Sequence, residues 1–268
     1  MSIRLLVSDL DGTLLQRGRH GFSPADKQAL AQASSEGITL CLASGRLYPD
    51  IQSWGSSLSL PCHSISQNGS AVYLHSGESL HTSRFGTELA QSLLRFPAAT
   101  SYPRSISCNN ELVYIPSDHP HLEDLRAKMT PPFLEHADLG SAFGGELSPT
   151  KFCYYGPLET LQTLQVQLQS TYGERIDALM TDVDCLDIMP SGTSKGSAVQ
   201  LLAQHLGLQS EEVACVGDQF NDVSMFAKKP HRLAMGGGPA EGRAKAAYFV
   251  HSVSEVVQWV LDYNRTHD

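Results

Sequence analysis

Two aspartates one residue apart, Asp9 and Asp11, are followed at once by Gly12 and Thr13 at the end of an apolar run that starts at Ile3. In extended chain, residues i and i+2 share a face, so extension through this segment sends both carboxylates the same way. Two acids crowded together repel unless a cation or a shared proton lies between them. Such a pair lets one acid ionise as nucleophile and metal ligand while the other gives and takes protons. Asp11-Gly12 equally suits a plain capped turn.

A second acidic loop, Gly217-Asp218-Gln219-Phe220-Asn221-Asp222, follows the apolar run Val213–Val216. Mg2+ takes oxygen ligands, typically one or two carboxylates together with substrate phosphate and water. Asp9, Asp218 and Asp222 are the candidates for that set, against the plainer alternative of a helix cap at Asp218 and a solvated acid at Asp222. Ser44 lies in Ala43-Ser44-Gly45-Arg46, where a hydroxyl and free backbone N–H groups at a helix start suit phosphate oxygens. Lys195 opens a helical pattern after Ser191-Gly192-Thr193-Ser194, and a lysine there neutralises a phosphate and the nucleophile's own charge. A capping serine and an exposed first-turn lysine are the bland readings of the same two residues.

These residues need elements to hold them. The runs Ile3–Ser8, Ile38–Leu42 and Val213–Val216 are nearly all apolar and each ends in one of the polar loops, which reads as strands of a parallel sheet buried on both faces. Between them lie helix candidates such as Lys27–Ser35, with Pro24 at the first helical position and Gly37 after the end. Strand alternating with helix predicts an α/β, doubly wound (Rossmann-like) sheet, whose ligands bind beyond the carboxyl ends of the strands. The middle of the chain is more mixed. Strand candidates Cys108–Ile115, Lys151–Tyr155 and Cys185–Met189 stand among helical stretches Leu89–Phe96, Leu122–Met129 and Leu158–Ser170. An α+β insertion is expected, with residues 1–83 and 188–268 forming the core and 84–187 the insertion.

Length supports two domains, since 268 residues exceed a single small core. The net charge of −9 and the lack of any basic run argue against a nucleic-acid partner. An acidic protein that handles a phosphate therefore needs local positive charge, from a few Lys/Arg or a divalent cation. Cysteines 41, 62, 108, 153, 185 and 215 show neither a C-x-x-C pair nor zinc spacing, and are expected to be reduced thiols. The N-terminal apolar run is too short for a secretory segment and nothing approaches bilayer length, so no membrane partner and a cytoplasmic location are expected.

The four loops in order, Asp9-Leu10-Asp11-Gly12-Thr13, Ser44-Gly45-Arg46, Lys195-Gly196 and Gly217-Asp218-Gln219-Phe220-Asn221-Asp222, resemble the haloacid dehalogenase-like superfamily, specifically its Cof-type, sugar-phosphatase-like members. The likeness covers nearly the whole chain. It implies a Mg2+-dependent phosphatase acting on a small phosphorylated metabolite. By the same resemblance Asp9 is the nucleophile, Asp11 the general acid and base, and Ser44, Gly45 and Lys195 hold phosphate. Asp218 is a metal ligand, Asp222 a supporting acid around the metal, and Asn221 a residue that holds phosphate or orients Lys195. The backbone carbonyl of Asp11 would also face the metal. The insertion resembles a class II, type-B cap, which carries substrate selection in such enzymes.

Asp11 decides the reaction class, because dehalogenating relatives lack an acid two residues after the nucleophile. Gln67-Asn68-Gly69 resembles a turn of the subfamily's core and is read as structural. Ala234-Met235-Gly236-Gly237-Gly238-Pro239 departs from the subfamily's Ala-Met-Gly-Asn-Ala, which puts a substrate contact there in doubt. Lys151, Arg104, His119 and His121 are offered by the insertion as leaving-group contacts, with solvated surface as the favoured reading. Three other functions fit parts of the pattern: a phosphomutase on the same core, a catalytically silent phosphometabolite binder, and a receiver-type phospho-acceptor. The last is about half this length and has no insertion.

Overall fold

The computed structural model describes residues 1–16, 21–128, 133–227, 230–237 and 244–267. The chain forms two compact units, Met1–His81 with Ser194–Asp268, and Thr82–Thr193.

The first unit is built on an eight-stranded sheet. Its strands are β1 (Leu5–Asp9), β2 (Thr39–Ala43), β3 (Cys62–Ser66), β4 (Ala71–Tyr73), β5 (Ser79–Thr82), β12 (Val213–Gly217), β13 (His231–Met235) and β14 (Tyr248–Val250), in the order β14-β13-β12-β1-β2-β3-β4-β5. From β14 to β3 every pairing is parallel, and β4 returns antiparallel to β3. Helices α1 (Pro24–Ser35), α2 (Tyr48–Ser56), α7 (Lys195–His205), α8 (Val223–Phe226) and α9 (Val253–His267) complete the unit. Helix α1 starts where the sequence reading puts it, with the Ser23 side chain accepting from the Asp26 N–H and Pro24 in the first turn.

Strand alternation divides the core in two. Leu6, Leu40, Leu42, Ala214 and Val216 pack with Leu30 of α1, Ile51 of α2 and Val256 and Val260 of α9. Leu5, Val7, Cys41, Ala43, Val213 and Cys215 pack on the other face with Ala198, Val199 and Leu202 of α7 and Met225 of α8. Both faces are covered, as a parallel sheet requires, and the architecture is the expected doubly wound one. Parity also settles which layer the nucleophile candidate meets: Asp9 has the parity of Leu5 and Val7, so it belongs to the face that carries α7.

Strand β3 carries a buried histidine on that same face. The Nδ1 of His63 accepts the backbone N–H of His75 at 3.2 Å. Burial, with His75 and His205 nearby, pushes the His63 imidazole down to about 4. Its folded value lies below the ordinary value of 6.5, so the unfolded chain binds more protons between those limits. Stability is therefore lost as pH falls from about 6.5 toward 4. Substituting Gln at His63 removes that titration. In urea denaturation across a pH series, the wild-type advantage over His63→Gln should shrink steadily through this interval; a constant gap would rule the linkage out.

The second unit is α+β. Its six strands, β6 (Arg104–Cys108), β7 (Val113–Pro116), β8 (Leu134–His136), β9 (Pro149–Tyr155), β10 (Ile176–Asp182) and β11 (Cys185–Pro190), run in the order β10-β11-β9-β6-β7-β8. Helices α3 (Thr87–Leu94), α4 (Leu122–Lys128), α5 (Leu139–Ala142) and α6 (Leu158–Tyr172) accompany them. Leu161, Leu164 and Leu168 of α6 pack on Ile106, Phe152, Tyr154 and Ile188 of the sheet.

Three details differ from expectation. Cys108–Ile115 is not one strand but the meeting of β6 and β7, separated by a turn in which Glu111 takes a left-handed φ of 57°. Strand β11 runs unbroken through Pro190, so the unit ends at Thr193 rather than at 187. Lys151, Arg104 and His119 are buried, not solvated, with 9%, 6% and 6% exposure. Of the predicted loop Ala234–Pro239, residues 238 and 239 lie outside the described residues, as does Met129 of the predicted helix Leu122–Met129.

Candidate active site

Three of the four polar loops stand at the carboxyl ends of neighbouring strands, and the fourth opens a helix. Asp9 ends β1 and pairs with Ala43, the last residue of β2; Gly217 ends β12, next to β1 on its other side. Ser44 therefore follows β2 on one flank of Asp9, and Asp218 follows β12 on the other. Lys195 is the first residue of α7, on the layer Asp9 faces, and Ser194 and Ser197 form a capping box that fixes this helix start.

Asp9, 4% exposed, receives the Lys195 ammonium on Oδ1 at 2.6 Å. Lys195, 1% exposed, donates at 2.7 Å to Asp222 Oδ1 as well. The other oxygen of Asp222 accepts the backbone N–H groups of Asp218 at 2.9 Å and Gln219 at 2.8 Å. Both oxygens of Asp222 are thus committed, one to Lys195 and one to the turn that presents Asp218. Asp218 is held in turn by the Thr13 hydroxyl at 3.1 Å and the Gln219 amide at 3.2 Å. Asp9 Oδ2 is different: it is buried and has no hydrogen-bond partner among the described residues.

Oxygens of Asp9, Asp218 and Asp222 lie within 4.8 Å of one another. Three carboxylates face one ammonium, and the electrostatics reflect the imbalance. Burial, then Asp222, push the Asp9 carboxyl well above the usual carboxylate range, with Lys195 opposing. Burial and Asp222 push Asp218 up to about 6. Lys195 would be lowered by its own burial, but Asp222 and Asp9 outweigh that and hold it above its ordinary value. Three carboxylates around a single ammonium, a cluster of oxygen donors short of positive charge, fit a hard divalent cation.

Asp11 stands outside this cluster. Strand β1 stops at Asp9, and the chain turns through Gly12, with Leu15 N–H returning to the Leu10 carbonyl at 2.7 Å. Strand alternation therefore does not extend to Asp11, whose carboxylate has partners of its own. Arg46 grips both oxygens, with Nε on Oδ2 and Nη2 on Oδ1, each at 2.7 Å, and the Ser44 hydroxyl stands 3.5 Å from Oδ2. Arg46 also donates to Asp50 at 2.5 Å, and this doubly paired guanidinium is held above its ordinary value by the Asp11 bonds first. The Asp11 side chain is half exposed, unlike Asp9. Gly12 is required by the turn: its φ is +87°, and a Cβ there would stand 2.2 Å from Asp218 Oδ2.

The loop after β3 braces both flanks. Gln67 and Asn68 take left-handed φ values of 51° and 57°, a costly pair of conformations for non-glycine residues. They persist because Gln67 N–H reaches the Arg46 carbonyl at 2.8 Å, and Asn68 N–H the Ser44 carbonyl at 3.0 Å. Asn68 Oδ1 accepts the Asn221 amide at 2.9 Å, and a Cβ on Gly45 would stand 3.1 Å from that same oxygen. Asn221 is thus tied to the Ser44 loop through Asn68. Sequence reasoning named Asp9, Asp11, Ser44, Gly45, Lys195, Asp218, Asn221 and Asp222, and the structure places all of them near the carboxyl ends of β1, β2 and β12. It missed Arg46, although the residue stands inside a quoted motif, and Thr13, Gln219 and Asn68.

The family described as haloacid dehalogenase-like hydrolase matches residues 6–260. The chain belongs to this family. An HMP-PP phosphatase from Escherichia coli O6:H1 is 31% identical, over 97% of this chain and 96% of that one. Among solved structures, a haloacid dehalogenase-like hydrolase from B. subtilis superposes with a TM-score of 0.82 at 22% identity, covering 96% of this chain and 99% of that one. A sugar phosphatase of haloacid dehalogenase subclass IIB superposes with a TM-score of 0.79 at 16% identity, covering 97% and 98%. The chain is accordingly a haloacid dehalogenase-type phosphatase. Among the described residues no helix is long and apolar enough to cross a membrane.

Proposed function

We propose that this haloacid dehalogenase-type enzyme is a Mg2+-dependent phosphatase that hydrolyses small phosphorylated metabolites through an aspartyl-phosphate on Asp9. The observation that carries the reading is the asymmetry of Asp9. Lys195 occupies Oδ1 at 2.6 Å, while Oδ2 is buried and has no hydrogen-bond partner among the described residues, so one oxygen of a fixed carboxylate is left to attack phosphorus.

Asp9 and Asp218 would hold the cation, with Asp222 supporting from behind because its oxygens already serve Lys195 and two backbone N–H groups. When bound, Mg2+ neutralises the surplus carboxylate charge and polarises the phosphoryl oxygens. Lys195 stays protonated and keeps Asp9 oriented; Ser44 and the Gly45 backbone hold phosphate oxygens. Asn221 sets the Asp218 loop against Asn68. As Asp9 Oδ2 bonds to phosphorus, the ester oxygen departs with a proton from Asp11. The Asp11 carboxylate then takes a proton from the water that cleaves the phospho-aspartate. To donate a proton, Asp11 must release one of its two Arg46 bonds, and its half-exposed position leaves room for that movement. We place substrate selection in the Thr82–Thr193 unit.

Phosphate release from a panel of phosphate esters, with and without Mg2+, tests the proposal. HMP-PP heads the panel because a relative spanning 97% of this chain is named for it. Release should require Mg2+, and Asp11→Asn should lower kcat by roughly 10²–10⁴-fold with the fold intact. Metal-independent release, or an Asp11→Asn enzyme with full kcat, would overturn it.

A further inference from the structure

Outside the catalytic loops, the second unit holds a buried group that the proposed phosphatase chemistry does not use. Cys153 on β9 and Cys185 on β11 lie on adjacent antiparallel strands, where Cys153 is opposite Asp187 and Cys185 opposite Tyr155. This diagonal placement brings the two sulfurs to 3.1 Å. Cys185 directs its thiol at Asp187 Oδ1, 3.8 Å away, and Asp187 Oδ2 accepts the Lys151 ammonium at 3.1 Å. All six cysteines of the chain are free thiols, and this pair is in direct contact.

The geometry points to a modification site: Cys153 and Cys185 form a dithiol that a small-molecule disulfide of the glutathione class closes reversibly into an intramolecular disulfide. Two arguments favour this over a metal site, although Cys153, Cys185 and Asp187 are close enough together to suggest one. Sulfurs that share a tetrahedral zinc, each about 2.3 Å from the ion, must stand well over 3 Å apart. This pair is already closer than a shared zinc allows, and closing the disulfide would bring the sulfurs to about 2.05 Å. The charge a metal would bring is also already supplied, because Lys151 occupies Asp187 and lies near both thiols. A second cation would have to displace it from a buried position.

The step balances without further reagents. Cys185, the less buried of the two, loses its proton and attacks the small disulfide, forming a mixed disulfide and releasing one small thiolate. Cys153 then loses its proton and attacks the Cys185 sulfur, expelling the second small thiol. The protein gives up two hydrogens and the small disulfide gains them. Burial raises the Cys153 thiol well above its ordinary value, with Lys151 opposing, which assigns the first attack to Cys185 and the resolving attack to Cys153.

The experiment incubates the native protein with oxidised glutathione, unfolds it in guanidinium with N-ethylmaleimide to block the remaining thiols, and maps the digested chain by mass spectrometry. Peptides containing Cys153 and Cys185 should appear joined, with the other four cysteines of the six alkylated. Dithiothreitol should restore both thiols, and Cys185→Ser should leave Cys153 fully alkylated. Two alkylated thiols in the oxidised wild type, or a glutathione adduct that persists on Cys185, would overturn the assignment. So would zinc retained by the reduced protein through dialysis, lost in Cys185→Ser, and blocking the cross-link.

Discussion

Asp9→Asn should abolish phosphate release, by on the order of 10⁴-fold or more, and at the same time make the metal-free protein more stable. The loss follows from removing the proposed nucleophile. The gain follows from the surroundings of Asp9, where burial and Asp222 disfavour its charge more than Lys195 favours it. A carboxyl whose folded value is raised binds its proton more tightly in the native state than in the unfolded chain. Between the ordinary value of 3.8 and that higher value, stability is lost as pH rises. At a pH above that higher value the wild type carries the whole penalty and the asparagine variant none of it, while the Asn side-chain carbonyl can still accept from Lys195. We expect a gain of roughly 0.5–2 kcal/mol in urea unfolding without divalent cations, the range typical of a single stabilising substitution. Mg2+ should then stabilise the wild type more than the variant. A variant less stable than wild type in EDTA would show that the Lys195 pair dominates the site.

Lys195→Met should have the opposite signature, losing both activity and fold stability. It leaves Asp9 and Asp222 buried with no counter-charge, and breaking a buried pair from one side costs about 3–5 kcal/mol. The cost should arise mainly from the stranded carboxylates. Adding Asp222→Asn to Lys195→Met should therefore recover part of the stability without recovering turnover. The two effects should be strongly non-additive in a double-mutant cycle, since Lys195 and Asp222 are in direct contact. Additive losses would mean that the lysine contributes by packing its stem rather than by charge.

The elements that carry the site were legible because parallel strands buried on both faces are written as near-continuous apolar runs. Each of β1, β2 and β12 ends where its polar loop begins. The acids were legible because their loops are contiguous in sequence. What escaped notice depends on partners far away in the chain. Arg46 meets Asp11 across 35 positions, and Asn68 meets Asn221 across 153, so no local pattern records either bond. Lys151 reads as surface on composition alone, yet Asp187, 36 residues on, makes its burial tolerable. The β6–β7 turn was hidden for a local reason: Glu111 takes the left-handed conformation that a glycine would have advertised.

The sheet of the first unit also sets an order of events during synthesis. Strand β1, with the nucleophile candidate at its tip, lies between β2 from the start of the chain and β12 from its last quarter. A nascent chain that has emerged only as far as residue 190 has completed β11 and all the strands of the inserted unit, but β1 still has one open hydrogen-bonding edge. Asp9 then has neither its lysine nor its acidic neighbours, all of which arrive between residues 195 and 222. The ribosome thus delivers the two halves of the candidate site separately, and a prematurely released fragment carries an unpaired strand edge and only half of that site.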